Sequence, residues 1–379
     1  MRILHTSDWH LGASLGSFSR IDEQREFLTE LADICRREQV DLILLAGDVF
    51  DNSNPSAAAY GLYCAVLKEL AGIPVIITAG NHDNPERLAA LAPLAEEVGH
   101  VTVALPAAEC IEITVSGEAA VIAALPFVSE KRLNELVFDN EDESGMAKNY
   151  SDKIAGLYVD MSAKFRKDAV SIVIGHFHLE RGEASGSERD ITLGGIYAVS
   201  RNSIPDADYV ALGHLHRPQE VSANGGKAYY SGSPLYYSLS ERAYQKSVVI
   251  VEAKAGEAAQ VRRVPLKSPR PIELWEADTT AEMLVKCAEN ENSLAWVYIL
   301  IKEEASLNHY DIKEMRRLVP FIIEIRTELD NQDHVGRDEF LEERSLNEEF
   351  IDFYTKRRGI APDNAMREIF AEIMEMDDL

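Results

Sequence analysis

Five short segments of this sequence carry metal-binding side chains directly after a run of apolar residues. The segments are Asp8-Trp9-His10, Gly47-Asp48, Gly80-Asn81-His82-Asp83, Gly175-His176 and Gly213-His214-Leu215-His216. In the Asp-x-His and His-x-His pairs the two side chains are two residues apart, so an extended backbone points both to the same side. A single segment of this kind is often only a turn or a hydrogen-bonded histidine, but five of them favour one shared site.

The chemistry that these side chains support is metal-assisted attack on a phosphate. A carboxylate such as Asp48 has two oxygens and can bridge two cations about 3.5–4 Å apart, the separation used for in-line displacement at phosphorus. Two divalent ions bound by two carboxylates keep about two surplus positive charges, which attract phosphate and lower the pKa of a bound water. Mixed nitrogen and oxygen ligands without thiolate fit manganese, iron or zinc, and the sequence does not choose among them. The ligand set proposed from these segments consists of two Asp, one Asn and four His.

Apolar strands must bring these segments together. The run from Leu42 to Ala46 has no polar alternation, as expected of a parallel strand buried on both faces, and Asp48 follows it at the end where open α/β sheets place their ligands. Predicted strands at 1–7, 41–46 and 73–79 alternate with predicted helices at 21–38, 55–70 and 85–98, which indicates a parallel sheet with right-handed crossovers. Later strands up to 247–252 are expected to form a second sheet packed face to face with the first.

The chain is expected to contain three domains. A length of 379 residues exceeds one ordinary core. The stretch from Lys267 to Pro271 contains two prolines, which predicts that a first domain at 1–268 ends there. Strands and helices then alternate in a small α/β domain at 269–330. Residues 337–379 are expected to form an acidic helical hairpin. Its two apolar stripes are too extensive to be buried on the hairpin alone, which indicates a partner.

The composition limits the classes of function. The net charge of -26, from 38 basic and 64 acidic residues, argues against a broad basic surface for nucleic acid. Action on a phosphate must then depend on metal ions or on a partner. The four cysteines are far apart and form no CxxC pair, which indicates free thiols in a reducing compartment. No run approaches the roughly 20 apolar residues that span a bilayer, so a cytoplasmic protein without a membrane segment is expected.

The residue patterns of these segments, and their order, resemble those of a known family. Asp-x-His, Gly-Asp-x-x-Asp, Gly-Asn-His-Asp, Gly-His and Gly-His-x-His, in this order, resemble the calcineurin-like metallophosphoesterases. Residues 3–12, 209–218 and 230–235 resemble the SbcD branch in particular. The resemblance implies an α/β fold, a two-sheet αββα sandwich with a small α/β capping domain and a C-terminal helical hairpin. It also implies one metal held by Asp8, His10, Asp48 and His216, and another held by Asp48, Asn81, His176 and His214.

The same resemblance assigns roles beyond the ligands. His82 would face the scissile phosphate and assist the leaving oxygen, and Asp83 would orient and polarise His82. The function implied is that of a DNA nuclease subunit of an SbcCD-like complex, a double-strand exonuclease and single-strand or hairpin endonuclease in DNA end processing and repair. It implies Mn2+ as the metal, a homodimer through the helices at 55–70 and 85–98, nucleoid association, and an SbcC-like SMC-type ATPase bound by the tail at 337–379.

Some interpretations of the sequence remain open. Arg20 is either a DNA contact or a solvated surface residue. Some relatives carry a His where this chain has Asp51, so a role there in handling DNA is not carried over. A phosphatase or cyclic-nucleotide phosphodiesterase of the same superfamily is an alternative, but the protein phosphatases usually read Gly-Asn-His-Glu and Arg-Gly where this chain has Asp83 and Asn52. A non-catalytic scaffold is a further alternative, which the intact His82 disfavours.

Overall fold

The structure is a computed structural model that describes most of the first 327 residues. The described ranges are 1–90, 101–105, 110–128, 143–185, 187–188, 198–224, 226–267, 269–303 and 307–327, with single residues 350, 351, 354, 362, 366 and 367. The predicted hairpin at 337–379 lies almost entirely outside them. Residues 85–90 are helical, and the rest of the helix predicted at 85–98 lies outside the described residues. Among the described helices, none is long and apolar enough to cross a membrane.

A first sheet carries the amino-terminal segments of the site. Within the described residues its strand order is β14 (Gln260–Pro265), β13 (Ser247–Glu252), β1 (Arg2–Thr6), β4 (Leu42–Ala46), β5 (Val75–Thr78) and β6 (Val101–Ala104). The last four of these strands are parallel to one another. β13 is antiparallel to β1, with Ile3 opposite Val251. The prediction that 247–252 belongs to the second sheet is therefore wrong, because an apolar run identifies a buried strand but does not identify the strand it pairs with.

A second sheet carries the histidine segments. Its strand order is β11 (Gln219–Ala223), β12 (Gly226–Tyr230), β10 (Tyr209–Gly213), β9 (Val170–His176), β8 (Glu118–Leu125) and β7 (Cys110–Val115). β8, β9, β10 and β12 are parallel, and the outer strands β7 and β11 pair antiparallel. The carboxyl ends of β9 and β10 therefore lie at the same edge of this sheet.

The two sheets pack face to face with helices outside them. Leu42 and Leu44 of β4 contribute to the core between the sheets together with Ile172 of β9, whereas Ile43 and Leu45 belong to the core under the helices. Helices α1 (Ile21–Glu38) and α2 (Ala57–Glu69) cover the first sheet. Helix α3 (Glu143–Ser162) covers the second. Both faces of β4 are thus buried, which explains its unbroken apolar run. This arrangement confirms the predicted two-sheet αββα sandwich.

A smaller α/β unit follows the sandwich. Strands β15 (Ile272–Ala277), β16 (Trp296–Ile301) and β17 (Ile322–Thr327) form a parallel sheet. Helices α4 (Thr280–Glu289) and α5 (His309–Leu318) connect these strands and share their apolar core. The side chains of Thr279 and Asn308 cap the two helices by accepting hydrogen bonds from the backbone three residues on. The unit also packs on the short hairpin of β2 (Ser14–Leu15) and β3 (Phe18–Ser19) through a shared apolar cluster.

Arg20 joins the small unit to the sandwich. Its side chain is fully buried, with Nε 2.6 Å from a carboxylate oxygen of Glu23 and Nη1 2.7 Å from the carbonyl oxygen of Tyr236. Its guanidinium lies over the ring of Trp296, whose indole N–H donates to the same Glu23 oxygen at 3.1 Å. Because it is buried, Arg20 is neither a surface residue nor free to contact DNA. The ion pair with Glu23 compensates its charge, which burial requires.

Candidate metal centre

The loops that follow β1 and β4 hold each other in unusual backbone conformations. The N–H of Asp8 donates to the carbonyl of Gly47, and the N–H of His10 donates to the carbonyl of Asp48, both at 3.0 Å. Asp8, His10, Asp48 and His214 all have positive φ, at 54°, 44°, 50° and 94°. Such conformations cost roughly 1–3 kcal/mol each in residues other than glycine and persist where the surroundings impose them, typically at functional sites. Four predicted ligands share this feature.

Two glycines allow the loops to come this close. A Cβ atom on Gly47, which has φ +82°, would overlap the ring of His176. A Cβ atom on Gly80 would overlap the side chain and backbone nitrogen of Asp48. Glycine is therefore required at both positions by close approach, since any larger residue would displace a predicted ligand.

The structure gathers one group of ligand atoms around His10. Side-chain atoms of Asp8, His10 and His216 all lie within 4.8 Å of one another. The Nε2 atoms of His10 and His216 are 3.1 Å apart. These three residues are buried, and they come from the ends of β1 in the first sheet and β10 in the second.

A second group lies beside the first and shares Asp8 with it. Ligand atoms of Asp8, Asp48 and His176 lie within 4.8 Å of one another. One carboxylate oxygen of Asp48, Oδ2, is 3.3 Å from Nε2 of His176 and 3.7 Å from Nε2 of His10. This oxygen therefore lies between the two groups, where a shared ligand is needed.

The remaining predicted ligands border the second group. The side-chain oxygen of Asn81 is 3.1 Å from Nε2 of His176. The His214 ring lies with its centroid 5.4 Å from that of His176, and the backbone N–H of His214 donates to Asp8 Oδ1 at 2.9 Å. The structure thus brings all seven predicted residues to one place. Imidazoles and carboxylates without thiolate suit divalent metal ions, and the donor set fits them.

Charge compensation inside the cluster sets the protonation of its members. Burial raises the pKa of Asp48, but the neighbouring His176 and His82 outweigh burial and hold that pKa well below its usual range. Burial lowers the pKa of His176, but Asp48 outweighs burial and raises that pKa to about 9. Burial also lowers the pKa of His216, and Glu241 raises it to about 9. For His214, burial and the charge of His176 both lower the pKa well below its usual range.

Metal affinity is expected to depend on pH through His176 and His216. Their pKa values of about 9 lie above the usual 6.5. Protonation of these histidines therefore stabilises the metal-free fold fully below about pH 6.5, and this stabilisation is lost as the pH rises through 9. A cation needs the neutral imidazole, so affinity should rise by about tenfold per pH unit for each proton released and level off above about pH 9. Titration calorimetry with Mn2+ in buffers of different ionisation enthalpy measures this release. Binding without proton release at pH 7 would contradict the expectation.

His82 and Asp83 are oriented differently from the prediction. The Nδ1 atom of His82 is 2.6 Å from the carbonyl oxygen of Asp51, so the orienting partner is a main-chain carbonyl. The Asp83 carboxylate instead accepts the backbone N–H groups of Val49, Phe50 and Gly80 at 2.9–3.0 Å. Burial, together with the charge of Asp48, raises the pKa of Asp83 to about 6. The expected role of Asp83 in orienting His82 is therefore corrected: its carboxylate ties the loop after β4 to the loop after β5.

Two acidic residues that lie near the ligands were not among the predicted site residues. One oxygen of Asp51 lies 3.6 Å from Nδ1 of His10, and His10, Asp51 and His82 form a further group of ligand atoms within 4.8 Å. Glu241 is fully buried, with Oε1 3.2 Å from Nδ1 of His216. Asp51 is the second Asp of the Gly-Asp-x-x-Asp motif, and that motif was its signal in the sequence. Glu241 has no such signal, because it lies 25 residues after His216 in a serine-containing turn.

Comparisons with known proteins agree with this geometry. A family model described as calcineurin-like phosphoesterase matches residues 1–218. The chain is 41% identical to the SbcD subunit of nuclease SbcCD from Bacillus subtilis (strain 168), across 98% of this chain and 97% of that protein. It is 37% identical to the SbcD subunit from Rhodobacter capsulatus, across 75% of this chain and 73% of that protein.

A third relative is less similar in sequence. The chain is 32% identical to the SbcD subunit of nuclease SbcCD from Escherichia coli (strain K12), across 73% of this chain and 71% of that protein. With the family model covering more than half of the sequence, these matches establish the family. The chain is a metal-dependent phosphodiester hydrolase that belongs to the calcineurin-like phosphoesterases and, within them, to the group of SbcD nucleases.

Proposed function

We propose that this chain is the nuclease subunit of an SbcCD-type complex and hydrolyses phosphodiester bonds of DNA with two bound Mn2+ ions. The observation that carries the proposal is the position of Asp48, with one oxygen 3.3 Å from His176 and 3.7 Å from His10. A carboxylate between two sets of imidazoles is what a two-cation phosphodiesterase needs. Relatives that are SbcD subunits of nuclease SbcCD, one of them matching over 98% of this chain, support the choice of DNA as substrate.

The ligands divide into two sets that share Asp48. One cation would be held by Asp8, His10, Asp48 and His216, whose side chains are buried and adjacent. The other cation would be held by Asp48, Asn81, His176 and His214. When bound, the two cations supply positive charge to the phosphate oxygens and activate water as the nucleophile.

His82 acts on the substrate rather than on the cations. It is partly exposed, whereas the ligands Asp8, Asp48 and His176 are buried. Its Nδ1 is 2.6 Å from the carbonyl oxygen of Asp51, and Nε2 is the ring nitrogen proposed to carry a proton to the departing sugar oxygen. Asp83 supports the site indirectly, because its hydrogen bonds fix the loop that carries His82.

The remaining parts of the chain are proposed to select the substrate and bind partners. Residues 1–268 form the nuclease domain, 269–330 the capping domain and 337–379 the helical tail that binds an SbcC-like SMC-type ATPase. Helix α2 contributes to a homodimer, and the complex acts on chromosomal DNA in the nucleoid. The net charge of -26 supports dependence on a partner, because DNA affinity of a single chain normally comes from Lys and Arg contacts to phosphate.

A substrate comparison tests the proposal. The purified chain is incubated with Mn2+ and end-labelled duplex and hairpin DNA, and separately with p-nitrophenyl phosphate as a phosphomonoester. DNA cleavage that requires Mn2+ and stops with a chelator is the expected result. Turnover of the phosphomonoester with intact DNA would contradict the proposal and favour a phosphatase.

A further inference from the structure

Glu241 lies next to the metal centre without being one of its ligands. Its side chain is fully buried in the turn Leu239–Ala243. Its Oε1 atom is 3.2 Å from Nδ1 of His216 and also accepts a hydrogen bond from the hydroxyl of Ser187. That hydroxyl is in turn 2.8 Å from the same Nδ1. The nitrogen of His216 that points away from the cluster is thus held by a carboxylate and a hydroxyl.

A buried lysine fixes the other side of this carboxylate. Lys246 is also fully buried, and its ammonium group pairs with Oε2 of Glu241. The same ammonium lies 2.8 Å from the hydroxyl of Ser233 and 3.5 Å from the carbonyl oxygen of His216. A buried charge must stay paired, so Oε2 of Glu241 faces the ammonium of Lys246 while Oε1 faces the imidazole of His216. The carboxylate therefore has one orientation.

The pair also connects the two sheets that supply ligands. His216 follows β10 of the second sheet, whereas Lys246 immediately precedes β13 of the first sheet. β13 pairs with β1, which leads into Asp8 and His10. A cation held by residues of both sheets requires a fixed distance between them. The contact from His216 through Glu241 to Lys246 spans this boundary at the site itself.

We propose that Glu241 is a positioning residue for the cation bound by Asp8, His10, Asp48 and His216. It keeps a proton on Nδ1 of His216 and directs the lone pair of Nε2 toward the cation, while Lys246 keeps Glu241 in place. Partners of this kind, behind a histidine ligand, set its tautomer and ring orientation. The inference rests on the proposed ligand set, because it assigns a role toward one of the two cations.

The substitution Glu241→Gln tests the role. A glutamine amide has one oxygen and one NH2 group, so it cannot accept from His216 and face the ammonium of Lys246 without placing two donors together. In Mn2+ titrations followed by calorimetry, the wild-type chain should bind two ions. The variant should bind one of the two about 10–100-fold more weakly and the other unchanged. A loss confined to one site is a result that a general loss of stability would not produce.

Ser187→Ala provides a second variant, because it removes the hydroxyl bridge and leaves the Glu241–Lys246 pair intact. It should weaken the same single site by a smaller factor, and it decides the question if Glu241→Gln does not fold. Glu23→Gln is the matched control: it also removes a buried carboxylate charge, but from the pair with Arg20. This control should lower thermal stability and leave both Mn2+ affinities unchanged.

Two results would overturn the role of Glu241. One is a Glu241→Gln variant that keeps both affinities within twofold of wild type, and the other is an equal loss at both sites. A wild-type chain that binds fewer than two Mn2+ ions would instead overturn the proposed ligand set, and the positioning role with it. The wild-type titration therefore separates failure of the proposed function from failure of this inference.

Discussion

Replacing His82 with alanine is expected to slow DNA cleavage by about 10²–10⁴-fold while two metal ions remain bound, the range typical of a lost general acid. The metal site should survive because His82 contacts Asp48 through its backbone: the N–H of His82 donates to Asp48 Oδ1 at 3.0 Å. An alanine keeps that N–H. The substitution therefore removes the imidazole, which lies with its centroid 4.8 Å from that of His10, but keeps the backbone hydrogen bond to Asp48.

The leaving group provides a sharper measurement of what His82 does. A sugar oxygen of DNA leaves as a poor alkoxide and needs a proton, whereas p-nitrophenolate leaves without one. The deficit of His82→Ala should therefore be large with DNA and much smaller with the phosphodiester thymidine p-nitrophenyl phosphate. His309→Ala is the control, because His309 is exposed at the start of α5. Equal deficits on both substrates would assign His82 to charge stabilisation and contradict proton transfer.

The position of the site was predictable because parallel strands impose it. Each of β1, β4 and β5 ends just before a segment with a predicted ligand, and parallel pairing puts these ends at one edge of the sheet. The unbroken apolar run of β4 indicated burial on both faces, which the two cores around it confirm. Local sequence was sufficient here, because the strand period and the turn after each strand determine where the ligands point.

Features that depend on distant partners were not predictable in this way. Arg20 is buried by Glu23, which is only three residues away, but also by Trp296 from the small α/β unit. Glu241 gains its place beside His216 from Lys246 and from the fold around both. In each case the compensating charge is close in sequence, but the residue that packs on the pair, Trp296 for Arg20 and His216 for Glu241, lies far along the chain. A single sequence does not show that such a local ion pair will be buried.

Replacing Asp48 with asparagine is expected to abolish binding of both metal ions and with it all measurable DNA cleavage. Asparagine keeps an oxygen to accept the backbone N–H of His82, which helps the loop after β4 retain its conformation. The position of Oδ2, between His10 and His176, then receives an NH2 group, which donates hydrogen bonds and cannot bind a cation. The site also keeps only one carboxylate against four positive charges.

Asp8→Asn is the matched comparison for Asp48→Asn, since both replace a buried ligand carboxylate by its amide. If Asp48 alone is shared between the two cations, Asp8→Asn should lose one Mn2+ and retain the ion held by Asp48, Asn81, His176 and His214. Metal content after dialysis, measured by mass spectrometry, would then be zero ions per chain for Asp48→Asn and one ion per chain for Asp8→Asn. Asp8 belongs to both groups of ligand atoms, so the comparison discriminates between the two carboxylates. Loss of both ions from Asp8→Asn, with one retained by Asp48→Asn, would make Asp8 the shared ligand and contradict the role assigned to Asp48.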